Sequence, residues 1–184
     1  EKGITVTEQD VDDQINTLKK LGLLGSEPAV FEEVLRSNYD WSVADFRRSI
    51  KQQIVNAKVV QALDPSVRQE ADRVLAELQN GKDFALAAIE YSDDPSTREN
   101  GGNLGIVDDN KAYLPKAYEA LTNMKEGDIS GVIARNDSLV IVKHLVFEAD
   151  KIKAAQIEFE YKDLAEYLND YKAKDPAKVY IKIN

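Results

Sequence analysis

Up to Asp64-Pro65 the apolar residues of this chain recur only at helical spacing. Beyond it, helical stretches alternate with short runs rich in β-branched residues. A chain that switches period in this way buries its apolar faces as a helical segment joined to a mixed domain, so the expected fold class is α+β. In the first stretch, "VTEQDVDDQINTLKKLG" sets Val6, Val11, Ile15, Leu18 and Leu21 along a helix. Thr7 is placed to cap it, with acids in the first turn and Lys19 and Lys20 in the last. "PAVFEEVLRSNY" reads as a second, short helix. "WSVADFRRSIKQQIVNAKVVQAL" reads as a third: Ser42 caps, Asp45 stands at the capping-box offset, and Phe46, Ile50, Ile54 and Val59 form a stripe. The stripes are expected to face a core, with Trp41 near the junction of the helices.

Past Pro65, "SVRQEADRVLAELQ" reads as a helix closed by Asn80-Gly81, and "DFALAAIEYS" as a short one. "LGIV" is a brief strand, and "LPKAYEALTNM" a helix with Pro115 near its first turn. "GVIAR" and "SLVIVKHLVF" flank an Asn136-Asp137 turn and read as a hairpin. "IKAAQIEF" is a further strand, "YKDLAEYLNDYKA" a helix and "KVYIKI" a last strand. The sheet is expected to be small and mostly antiparallel.

Charge and composition remove several function classes. The formal net charge is −9, from 24 Lys+Arg and 33 Asp+Glu. It is spread over both stretches, with 8 basic and 11 acidic residues up to Asp64 and 16 and 22 beyond. That argues against nucleic acid, whose binding rests on clustered Lys and Arg. Cysteine is absent, which excludes disulfides, thiolate metal sites and a cysteine nucleophile. A single histidine, His144, is too few for a zinc site. No apolar run approaches the roughly 20 residues needed to span a bilayer, and no signal peptide is present. The chain begins with Glu1 and reads as a processed or excised segment.

Between two apolar flanks lies the acidic, glycine-rich stretch "EYSDDPSTRENGGNLGIV", residues 90–107. Its acids Asp93, Asp94 and Glu99 do not fall on the ligand grid of an EF-hand. It lacks the Gly-Lys-Ser/Thr of a phosphate loop, and its charge would repel the anion. His144 sits in an apolar strand with no nucleophile motif nearby, so it reads as a core or surface histidine, not a triad member. What remains is the wall of a peptide cleft, or a turn capped by Asp93 and Asp94.

Taken together, "NGKDFALAAIEYSDDPSTRENGGNLG", "YLPKAYEAL", "MKEGDISGVI" and "SLVIVKHL" resemble the parvulin family of peptidyl-prolyl isomerases. They match its ordered motifs "G-x-DF", "YS-(E/D)-D", "GG-x-LG", a proline-led helix and "G-(E/D)-IS" over residues 70 to 145. The stretch "ITVTEQDVDD…LRSNYDWSVADFRRSIKQQIVNAKVV" is similar to the helical chaperone segment that precedes the isomerase domain in SurA- and PrsA-type foldases. The resemblance implies a helical segment over 1–64 and an FKBP-like parvulin domain over 65–184. In that domain Gly101 and Gly102 make the tight turn, Leu104 lines the proline pocket, and Asp94 faces the substrate carbonyl. No metal or cofactor is implied.

Two family features are displaced. The family's first strand, "A-S-H-I-L", has no counterpart before the first parvulin helix, but "KAAQIEF", residues 153–159, is similar to it. A circular permutation is therefore expected, with the first strand supplied from about 152–159 and Gln156 in place of its histidine. The second family histidine falls at Val140; His144, four residues on, does not replace it. The pocket Met and Phe fall at Tyr113 and Ala117, with Tyr118 next door able to fill part of the gap.

Two functions follow from the resemblance. One is a foldase that isomerises Xaa–Pro bonds in unfolded or nascent clients, with weak catalysis because both histidines are replaced. The other is a chaperone of parvulin fold that binds unfolded or proline-containing segments without turnover. A structural domain of a larger assembly is a third, blander reading. The resemblance places the protein outside the cytoplasm, in the periplasm or at the cell surface, on a membrane anchor absent from this chain.

Overall fold

The computed structural model describes residues 3–20, 24, 27–107, 115–135, 137–148 and 151–174. Three helices open the chain: α1 (Glu8–Lys20), α2 (Pro28–Tyr39) and α3 (Val43–Leu63). Thr7 and Asp10 bond reciprocally at the start of α1, and Ser42 and Asp45 do the same at the start of α3, so both expected caps form. Val11, Ile15 and Ile50 join α1 to α3 in a small core, and Phe31 of α2 meets Phe46 of α3 edge-on with centroids 5.1 Å apart. Around that core Arg47 bridges Asp12 and Glu8, and Lys58 reaches Asp10.

The stripe of α3 departs from expectation at its end. Val60 is buried, while Val59 is only half-buried. One residue is about 100° of helix rotation, so the line through Phe46, Ile50 and Ile54 returns at Ala57 and Val60 and passes Val59 by. Val60 packs in the same core as the sheet. Trp41 is 40% exposed and stacks obliquely on Tyr39.

Asp64 ends α3 and starts α4 (Pro65–Gln79), its carboxylate accepting from Ser66 N at 3.1 Å. There follow α5 (Phe84–Tyr91), β1 (Asn103–Val107), α6 (Pro115–Thr122), β2 (Ile133–Ala134), β3 (Ser138–Glu148), β4 (Lys151–Glu160) and α7 (Leu164–Lys174). The strands form one antiparallel sheet in the order β1-β4-β3-β2. The fold is thus α+β. The strand containing "KAAQIEF" is not an appendage: β4 is hydrogen-bonded on one side to β1 and on the other to the whole length of β3, from Ser138↔Glu160 to Glu148↔Lys151.

Alternation sorts the sheet residues into two faces. Leu139, Ile141, Ala155, Ile157 and Phe159 pack on α4 and α5 through Ala71, Val74, Leu78, Phe84 and Ala87. Val140, Val142 and Ala154 pack on Ala117 and Leu121 of α6. The expected strand in "GVIAR" shrinks to two residues. Just before it, Ser130 N donates to Val142 O, but Val142 N donates to Ser130 Oγ, so a hydroxyl stands where a ladder carbonyl would be. The expected strand "KVYIKI" and the Asn136 half of the hairpin turn lie outside the described residues.

Candidate active site

The acidic loop continues the sheet edge. Past Ala155, where β1 ends its pairing, β4 is satisfied by the loop: Gln156 N donates to Gly102 O at 2.8 Å, and Asp93 N donates to Glu158 O at 2.8 Å. Glu158 N donates to Ser92 Oγ at 3.1 Å, and Glu160 N to Asp93 Oδ2 at 2.9 Å. The amides of Gln156, Glu158 and Glu160 and the carbonyl of Glu158 thereby find partners on the loop side. Gly101 and Gly102 have φ of +64° and +76°, and a Cβ on Gly102 would run into the carbonyl oxygen of Gln156. The glycine pair therefore serves both a left-handed turn and a close approach of the loop to β4.

This placement brings Asp94 over the sheet face that carries Val140 and Val142. Asp94 Oδ2 accepts from Gln156 Nε2 at 2.9 Å and from Thr97 Oγ1 at 2.5 Å; Oδ1 accepts from Ser96 N at 2.9 Å and Ser96 Oγ at 2.6 Å. Burial opposes its ionisation, but the hydrogen bonds from Ser96, Thr97 and Gln156 outweigh it and hold the pKa down at about 2. Asp94 thus caps a local turn and is also tied to the central strand.

On the same face lies a buried carboxylate that the motifs did not announce. Glu158 is 9% exposed; its Oε1 accepts from Arg135 Nη1 at 2.8 Å and Ser138 Oγ at 2.6 Å. Its Oε2 stands 3.4 Å from Gln156 Nε2. A polar line therefore runs Arg135–Glu158–Gln156–Asp94–Thr97 beneath the loop. Its sequence signal is a glutamate within the mostly apolar strand run "AAQIEF", since an acid is almost never buried unless paired.

The other expected site residues fare differently. Gln156 meets Asp94. Val140 is fully buried and faces Glu158 across the ladder, as Val142 faces Gln156. Leu104 and Tyr118 are partly buried and pack on the cluster formed by Val140, Val142, Ala154 and Leu121. Ala117 is 1% exposed, so it underlies the wall of the site and does not line an open pocket. Tyr113 lies outside the described residues. His144 is a core histidine: Nδ1 donates to Met124 O at 3.1 Å, Phe147 meets its ring edge-on at 4.4 Å, and Nε2 is buried without a partner.

The site thus combines an apolar cluster that takes in Leu104 and Tyr118 with a hydrogen-bonded carboxylate, on a small antiparallel sheet edged by a glycine-pair loop. The rotamase family, PPIC-type PPIase domain, matches residues 53–146, just over half of the 184-residue chain. The chain belongs to that family. The matched stretch ends before β4 begins. The foldase protein PrsA of Caldanaerobacter subterraneus subsp. tengcongensis is 28% identical over 155 residues, covering 77% of this chain and 49% of the relative. PrsA of a Geobacillus strain is 29% identical over 97% of this chain and 60% of its own length. The chaperone SurA of Salmonella choleraesuis is 30% identical over 65% of this chain and 29% of its own. The chain thus spans about half, or less, of most of these relatives. The crystal structure of peptidylprolyl isomerase PrsA from Bacillus anthracis superposes with a TM-score of 0.35 at 20% identity, over 92% of this chain and 79% of that one.

Proposed function

We propose that this chain is a peptidyl-prolyl cis-trans isomerase of parvulin type that assists the folding of proteins outside the cytoplasm, with weak catalysis. The observation that carries the reading is the Asp94 carboxylate, ionised down to about pH 2 and fastened to Gln156 of the central strand. The apolar shelf of Leu104 and Tyr118 lies on the same sheet face. Prolyl isomerisation must overcome a barrier of roughly 18–20 kcal/mol set by amide resonance. No covalent step is needed; the site has to bind the twisted amide more tightly than the planar one. Leu104 and Tyr118 would take the ring and Asp94 would face the rotating carbonyl. Gln156 stands where the family has its first histidine, and Val140, which offers no hydrogen bond, stands where it has the second. That difference is the reason for weak turnover.

In this reading residues 65–184 form the isomerase domain, residues 1–64 are a SurA-type helical segment, and β4 fills the place of the family's first strand by circular permutation. The central position of β4 supports the permutation, as does the end of the family match at residue 146. Deleting residues 152–184 should then abolish cooperative unfolding of the rest; a well-folded 1–150 fragment would refute it. Clients would be unfolded or nascent chains with Xaa–Pro segments. The place is the periplasm or cell surface, on a membrane anchor outside this chain; among the described residues no helix is long and apolar enough to cross a membrane.

A second reading is binding without turnover. It is favoured by the loss of both histidines and by an apolar hollow of about 330 Å³ between α2 and α3, lined by Val30, Phe31, Val34, Tyr39 and Trp41. A protease-coupled assay on Xaa–Pro peptides, run beside a client-aggregation assay, separates the two. Acceleration of isomerisation that Asp94→Ala lowers supports the first; suppression of aggregation with no acceleration supports the second.

A further inference from the structure

Gln156 is held between two carboxylates. Its Nε2 lies 2.9 Å from Asp94 Oδ2 and 3.4 Å from Glu158 Oε2. A carboxylate ion can only accept, so both N–H bonds of the amide are committed and its handedness is fixed. Gln156 is 3% exposed, and its Oε1, turned away from both acids, is buried with no hydrogen-bond partner. Left to its own satisfaction, the amide would turn to pair that oxygen. What prevents it is the acid on each side. No group on β3 competes for Nε2, because Val142 stands opposite Gln156 and Val140 opposite Glu158. Glu158 is itself immobilised: Arg135 and Ser138 both hold Oε1, which leaves Oε2 aimed at Gln156.

We infer that Glu158, anchored by Arg135 and Ser138, is a positioning residue of this site that acts through Gln156 to set the Asp94 carboxylate. Two acids sharing one amide group make a clamp with a direction. Charge on Arg135 fixes Glu158, Glu158 fixes which way the Gln156 amide faces, and the amide places a donor on Asp94 Oδ2. In this protein the clamp occupies the space beneath the cleft that a histidine pair would otherwise organise. Its kinetic consequence rests on the isomerase reading; its geometric consequence does not.

The test uses the whole chain with the substitutions E158Q, E158A, R135A and R135K, and two independent readouts. The first is the side-chain amide proton pair of Gln156 in nitrogen–proton correlation spectra, assigned by its disappearance in Q156A. The pair should move in E158A, E158Q and D94N and stay close to its wild-type position in R135K. The second is isomerisation of an Xaa–Pro peptide by exchange spectroscopy. E158A should lower kcat about tenfold while KM stays within about threefold, and R135K should keep most of what R135A loses. A merely structural role would lower the melting temperature and leave the kcat-to-KM split and the amide pair alone, as expected of I50A far from the site. E158Q, of the same shape, serves if E158A does not fold. An amide pair unmoved in E158Q overturns the inference. Wild-type protein that accelerates no peptide overturns the isomerase reading instead, and the amide pair still decides whether Glu158 holds Gln156.

Discussion

Gln156 Nε2 and Asp94 Oδ2 stand 2.9 Å apart across 62 residues of sequence. This contact fastens the acidic loop to the central strand and places a donor on the Asp94 carboxylate. Asp94 and its donors also set how the protein responds to acid.

The folded-state pKa of Asp94 is held at about 2, below its ordinary value of 3.8. A depressed carboxylate contributes stability that is fully present above the unfolded value and is lost as pH falls through the folded one. Wild-type protein should therefore lose stability from about pH 4 to about pH 2 more steeply than Asp94→Asn, whose side chain does not titrate. Urea midpoints measured through that window check this; parallel curves for the two proteins would show that Asp94 is not held by its donors in solution.

Gly102→Ala should be among the most damaging small changes in the domain. Its φ of +76° is strained for any residue with a Cβ, and the added atom meets the Gln156 carbonyl, a backbone group of a central strand that cannot step aside. Left-handed strain alone costs about 1–3 kcal/mol, and displacement of the loop adds to it. Denaturant unfolding would report the loss. Gly105→Ala is the control, since its φ of +67° is similarly strained but open space surrounds it; the difference between the two isolates the close approach.

In the helical segment, Ile50→Ala should cost on the order of 2–5 kcal/mol, because Ile50 is 4% exposed and joins α1 to α3. Val59→Ala, half-buried and off the stripe, should cost less than about 1 kcal/mol. Equal effects at the two positions, read by thermal or chemical unfolding, would contradict the rotation of α3 that buries Val60.

Replacing Gln156 and Val140 together by histidine should raise the isomerisation rate. Position 140 faces Glu158 across the ladder, so a histidine there meets an acceptor, and position 156 lies beside Asp94. Fixed polar groups beneath the cleft are what selective stabilisation of the twisted amide requires. Exchange spectroscopy on an Xaa–Pro peptide checks this; a rate no higher than wild type, in a variant that folds, would show that the histidine positions are misplaced here.

Helices and caps were legible in the sequence because their signals are local. Ser42 and Asp45 sit three residues apart, and the stripe needs only helical spacing; Val59 falls off the buried line because it lies far around the helix from Ile50 and Ile54, while Val60 lies closer to it. Strand order was legible only through the likeness of "KAAQIEF" to a strand the family carries elsewhere, since no local signal says which strand lies beside which. The pairing of Asp94 with Gln156 could be guessed once both were assigned to one cleft. Glu158, Arg135 and Ser138 could not, because what makes them partners is a ladder register that joins residues 20 or more apart in sequence. The alternation of β3 and β4 would have put Ser138, Glu158 and Gln156 on one face, but only after their register was known.

The central strand is the last strand described, and this fixes when the domain can take shape during synthesis. Until residue 160 has left the ribosome, β1, β3 and the acidic loop have exposed backbone edges and no common partner. Ser92 and Glu158 meet across 66 residues, so the loop's partners on β4 arrive last. Loop closure over such distances is slow, and unpaired strand edges are prone to aggregate. By its own chain order this domain closes its sheet late.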